Sequence, residues 1–137
     1  MSAPSLAALQ DAIYAALAGS ATVQALIGGP ARLYDHVPED AAFPYVELGE
    51  VSARRFDSTS RSGLDCALTL NVWSRYGGRR EAKQILDAIY GVLHDGSLSV
   101  AGNAHVLTSF QSAETRRDAD GLTYHGIARY RVIVQAS

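Results

Sequence analysis

Four histidines, His36, His94, His105 and His125, are the side chains best suited to proton transfer or metal ligation near neutral pH. They fall in separate segments, with no i, i+4 pair and no cysteine companions, so a metal centre would have to be assembled wholly by tertiary contacts. Asp118, Asp120 and Gly121 form DADG, which resembles the opening of a calcium loop. The spaced ligands and closing glutamate are missing, and a turn in which aspartate caps the backbone is the simpler reading. Asp35, Glu39 and Asp40 could do acid-base work, but nothing pairs them with a nucleophile or pocket, which leaves a solvated loop. Ser58, Ser60 and Ser62 lack the strained turn that exposes a catalytic serine, and GGPAR after Ile27 lacks the lysine and hydroxyl of a phosphate cradle. No catalytic, metal-binding or cofactor-binding residues are expected.

Composition narrows the remaining classes. The formal net charge of -2 argues against a chain whose task is to neutralise a nucleic-acid backbone. Trp73, Tyr76 and Tyr124 could stack on bases, yet aromatics on a sheet face serve more often as core or subunit contact. All twelve basic residues except Lys83 are arginine, which suits planar pairing at protein interfaces, although GC-rich coding gives the same bias. Cys66, the single cysteine, excludes an intrachain disulfide, and its place among alternating apolar residues makes it a small buried hydrophobe. The alanine-rich start mimics a signal peptide but is broken by Gln10, Asp11 and Tyr14, so it reads as a retained helix; no run approaches the ~20 apolar residues of a membrane span.

At 137 residues the chain fits one domain, residues 1–137. Ser5 caps a helix whose Leu6, Leu9, Ile13 and Leu17 repeat at helical spacing until Gly19, and Ser20 to Ile27 can add a short second turn. Residues 32–44 read as a short extended piece and a loop. A strand follows from Tyr45 to about Arg54, with a bulge at Gly49, and the alternation from Leu64 to Trp73 makes the most secure strand. Ala82, Ile85, Leu86, Ile89 and Leu93 form the stripe of a second helix ending near His94. Ala104 to Glu114 is a strand. Leu122, Tyr124, Gly126, Ala128, Tyr130, Val132 and Val134 alternate with Thr123, His125, Arg129 and Arg131 to make the last one. The expected class is α+β in the order α-β-β-α-β-β, with helices on one face of a four-stranded, largely antiparallel sheet.

Two long loops are left over, Arg54 to Gly63 and Thr115 to Gly121, each carrying both signs of charge at a hairpin tip. In a lone monomer they are merely solvated; in an assembly protein they are arms that reach a neighbour while the sheet stays rigid.

The order of four segments resembles the small tail-completion or tail-terminator proteins of long-tailed bacteriophages and gene transfer agents. They are the helix LAALQDAIYAALAG, the stretch RLYDHVPEDAAFPYVELGE, the strand and helix LTLNVWSRYGGRREAKQILDAIYGVLH, and SAETRRDADGLTYHGIARYRV. The likeness covers nearly the whole chain. It implies a structural virion protein without an active site or cofactor, made in the bacterial cytoplasm and incorporated in the tail of a phage or gene transfer agent. It further implies a ring, commonly a hexamer, that caps the head-proximal end of the tail tube, stops its polymerisation and joins tail to neck. The implied partners are further copies of itself, the tube protein and a head-tail connector, with DNA only as passing cargo and no membrane. By analogy Arg54, Arg55, Phe56, Asp57 and Arg61 form one contact arm, and Arg116, Arg117, Asp118 and Asp120 another. A neck or minor tail protein of the same fold type is the alternative. A small enzyme or ligand-binding domain would need a cleft between helices and sheet where groups such as Asp35, His36 and His125 converge.

Overall fold

Serine hydroxyls start two of the three α-helices among the described residues. In the computed structural model, which describes residues 3–137, the Ser5 hydroxyl accepts the Ala8 N–H at 3.1 Å and opens α1, Leu6–Ala18. Ser20 does the same for Val23 at 3.3 Å and opens α2, Ala21–Ile27. These bonds satisfy amide groups that the first helical turn would otherwise leave unpaired. Gly28, at φ 89°, takes the left-handed conformation that ends α2 without a Cβ penalty. A 3-10 turn, Pro30–Arg32, then leads into β1, Leu33–Tyr34. The remaining elements are β2, Tyr45–Arg55, β3, Gly63–Ser74, α3, Arg80–Leu93, β4, Asn103–Arg117, and β5, Tyr124–Ala136.

The expected α+β class holds, but the sheet has five strands in the order β1-β2-β3-β5-β4, and it is mixed rather than four-stranded and wholly antiparallel. The added strand is β1, which pairs parallel with β2 through Leu33 to Val46 and Tyr34 to Glu47. Two residues carry no detectable alternation, so only the pairing reveals the strand. The hairpin β2–β3 is antiparallel, and its register slips between Leu48 and Val51, at the bulge that Gly49 suggested. A Cβ on Gly49 would stand 2.8 Å from the Thr69 carbonyl oxygen, which explains why a glycine is needed there.

The sheet has one face for the core. Cys66, Leu68, Leu70 and Val72 of β3 point the same way as their neighbours on β5, Val132, Tyr130, Ala128 and Gly126. Against them pack Leu9, Ile13 and Leu17 of α1, Val23 and Ile27 of α2, and the α3 stripe of Ala82, Ile85, Leu86, Ile89 and Leu93. The space between helices and sheet is thus filled by leucine, isoleucine and valine side chains. Gly126 permits this approach, because a Cβ there would press on Leu86 and Val72 at 3.2 and 3.3 Å.

The alternation read for the last strand is only partly realised. Leu122 is 64% exposed and Thr123 is buried, because the strand begins at Tyr124 and both residues belong to the preceding turn. Ile127 and Ile133, on the odd side with Arg129 and Arg131, are buried as well. The face away from the helices is therefore not purely polar.

Candidate protein-contact surfaces

The two expected arms stand at opposite ends of the sheet. The 56–62 turn joins β2 to β3 at Gly63, whereas the turn after β4 lies where Ser74 of β3 pairs with Tyr124 of β5. The twelve residues of β3 span about 36 Å at ~3.3 Å per residue, so a single small partner cannot touch both tips at once.

Both arms are shorter than the sequence suggested. Arg54 and Arg55 belong to β2, paired with Asp65 and Leu64, and Arg116 and Arg117 belong to β4, paired with His125 and Tyr124. Backbone pairing carries both hairpins past the point where apolar alternation ends, because the ladder does not require apolar side chains. In the first arm Asp57 is spent on the fold. Its carboxylate accepts the Gly63 N–H at 3.1 Å and the Arg55 Nε–H at 2.6 Å, and these bonds, the first foremost, hold its pKa below the ordinary carboxylate value. Phe56 and Arg61 remain exposed.

In the second arm Asp120 has the turn-capping role that DADG suggested. Its carboxylate accepts the Thr123 hydroxyl at 2.7 Å and the Leu122 and Thr123 amides at 2.8 Å each, which lowers its pKa to about 2. Arg75 adds a charged contact at 3.7 Å and donates to the Thr123 hydroxyl. Arg117 donates twice to the Gly121 carbonyl, at 3.1 and 2.8 Å, and closes the same turn. Arg116 pairs with Glu114, which also holds Arg129. Asp118 is exposed. Next to this arm stand Tyr76, 72% exposed, and Leu122, apolar side chains of the kind that anchor protein contacts. The sequence leaves Tyr76 open between base stacking and a core or subunit contact and places Leu122 on the core side of the last strand; the exposure of both follows from the turns at the end of the sheet.

The face away from the helices carries a second feature that the sequence reading passed over. Asp65 is buried, and its carboxylate accepts Arg131 Nε at 3.0 Å and Nη2 at 2.8 Å from one side and Arg54 Nη2 at 3.2 Å from the other. The Arg131 hydrogen bonds, more than those of Arg54, keep the carboxyl ionised below its usual pKa. A carboxylate inside the alternating run Leu64 to Val72 was the available signal. Around it lies an open depression of about 580 Å³, lined by Ser52, Ala67, Arg54, Arg129 and Arg131.

The groups that an enzymatic reading would need do not meet. His125 lies on the open face, stacked on Trp73 and hydrogen-bonded to Asn71 at 2.7 Å. Asp35 and His36 sit in the exposed loop after β1, while His94 caps α3 and stacks on Tyr90. His105 is bonded to Thr108 at 2.7 Å.

A rigid mixed sheet backed by helices, with its chemistry spent on turns and its exposed arginines and apolar side chains at the margins, defines a structural assembly protein. Residues 11–135 match the family model described as tail completion protein gp17. The chain is also 31% identical over 98 residues to the tail completion protein gp17 of Bacillus phage SPP1, covering 70% of this chain and 71% of that protein. Among solved structures it is similar to a chain of the virion of a native gene transfer agent particle. That match has a TM-score of 0.86 and 25% identity, over 95% of this chain and 96% of the other. The chain belongs to the tail completion protein gp17 family: it is a structural component of a phage or gene transfer agent tail, not an enzyme.

Proposed function

We propose that this chain is a tail terminator, whose copies form a homo-hexameric ring on the head-proximal end of the tail tube. The ring stops tube polymerisation, joins the tail to a head-tail connector and lets DNA pass as cargo. The observation that supports this reading is the placement of the arms. A ring between tube and neck needs one contact surface on each side, and the 56–62 arm and the 116–122 arm leave opposite ends of one stiff sheet. Phe56 and Arg61 serve one of these partners, and Asp118, with Tyr76 and Leu122, the other; Arg116 and Arg117, on the outer strand β4, face a neighbouring copy. Arg54, Arg55, Asp57 and Asp120 hold these arms in place.

The test is to mix the purified protein with its tail tube protein and follow tube length and tube ends by electron microscopy. Rings at one end of tubes of limited length are expected. A chain that stays monomeric, does not bind the tube protein and leaves tube length unchanged would sink the proposal.

A further inference from the structure

The geometry points to a head-to-tail contact between copies of this chain, in which the arginine-bearing end of β4 in one copy meets the acidic margin beside β1 in the next. The inference rests on the ring reading and names the two surfaces that would close the ring.

A head-to-tail ring requires two different surfaces on opposite sides of one molecule. The two margins of the sheet, β1 and β4, are such surfaces. Along β4 the outer edge is blocked in its middle: the Thr108 carbonyl accepts the Asp95 N–H at 2.9 Å, and the Phe110 N–H donates to His94 Nδ1 at 3.1 Å. Covering an edge in this way keeps other strands from adding there. From Ser112 to Arg117 no such cover exists among the described residues, and that stretch ends in Arg116 and Arg117. Arg117 has no carboxylate partner among the described residues, and Arg129 adds positive charge beside Arg116, which Glu114 and Asp118 reduce without cancelling.

At the other margin, the loop that leaves β1 and returns to Tyr45 exposes Asp35, Glu39 and Asp40, none of them in an ion pair among the described residues. Two arginines reach this margin: Arg32 is directed inward to the Phe43 carbonyl at 3.1 Å, and Arg75 lies over the Phe43 ring while contacting Asp120 at 3.7 Å, and neither pairs with Asp35, Glu39 or Asp40 among the described residues. Opposite charges on the two sides favour binding of unlike margins and disfavour like ones, which sets the direction of assembly.

One row of paired residues, Tyr45, Trp73, His125 and Arg116, crosses the sheet from β2 to β4. The acidic loop therefore rejoins the sheet, at Tyr45, on the level of Arg116, whereas Asp35, which follows Tyr34 opposite Glu47, lies about 10 Å further along the strands at ~3.3 Å per residue. A head-to-tail contact of this kind, repeated by rotation, closes into a ring.

A charge exchange tests this with the full chain and the tube protein. One variant carries Arg116→Glu and Arg117→Glu, making both margins acidic; the other carries Glu39→Arg and Asp40→Arg, making both basic. Each alone should cap roughly tenfold fewer tube ends than the wild type while melting at an unchanged temperature, and an equimolar mixture should recover capping as alternating rings. If either variant alone caps like the wild type, or the mixture of two folded variants does not recover, the contact is wrong even though wild-type rings form. If the wild type itself forms no rings, the ring reading fails and this contact with it. Should a variant unfold, Arg117→Gln with Asp40→Asn replaces the reversals, and undiminished capping by that folded pair overturns the contact.

Discussion

The imidazole of His125 lies flat on the indole of Trp73, with ring centroids 3.8 Å apart and planes 7° from parallel. Trp73 donates its indole N–H to Glu47 at 3.3 Å, and His125 is bonded to Asn71, so four side chains from β2, β3 and β5 lock one end of the open face. Burial, chiefly, and the Arg116 charge depress the His125 pKa below its ordinary value.

A pH dependence follows, with a definite sign. The folded protein takes up this proton less readily than the unfolded chain, so the stabilisation is full above about pH 6.5 and declines as pH falls below that value. Burial depresses His105 in the same direction. Replacing His125 with Phe keeps a ring on Trp73 and should flatten, without abolishing, the loss of thermal midpoint between about pH 6.5 and 5. An unchanged slope would exclude His125 as a source.

Asp65 should matter more to stability than either arginine that binds it. Asp65→Ala removes charge-assisted hydrogen bonds from a buried site and should cost about 1 to 2 kcal/mol in a denaturant titration. Arg54→Ala should cost about 0.5 kcal/mol or less, since its side chain is 79% exposed. Because the Asp65 pKa is lowered on folding, its contribution is present above about pH 4 and fades as pH falls through the folded value. Equal losses for the two substitutions would contradict the assignment.

Gly63 forms the base of the first arm. A Cβ there would run into the Phe56 carbonyl, a backbone atom that cannot swing away, so Gly63→Ala should loosen the 56–62 turn at a cost of about 2 kcal/mol. Trypsin should then cut at Arg55 and Arg61 faster than in the wild type. Cleavage at the wild-type rate would show that the turn adapts.

Leu70 lies fully buried at the centre of β3. Leu70→Asp should abolish soluble protein, because an unpaired carboxylate in the core costs several kcal/mol against a total stability of roughly 5 to 15. Leu122→Asp, on an exposed turn, should leave expression and melting unaltered. Soluble, folded Leu70→Asp protein would show that this face is not the core.

What the sequence determined by itself is everything that follows from local periodicity and capping. The serine caps of α1 and α2, the stripe of α3, the core side of β3 and the burial of Cys66 all match, because each depends on neighbours within a few residues. The turn role of Asp120 was legible for the same reason. The short strand β1 was not, since two residues carry no period, nor were the true ends of the hairpins, where pairing continues under charged side chains. The role of Asp65 was not legible either, because the arginines that close on it, Arg54 and Arg131, stand 11 and 66 positions away. Only the tertiary structure decided that the arms leave opposite ends of the sheet, and that Tyr45, where the acidic loop ends, shares one row of the sheet with Arg116. Those relations depend on strand order and register, which are set by contacts between distant parts of the chain.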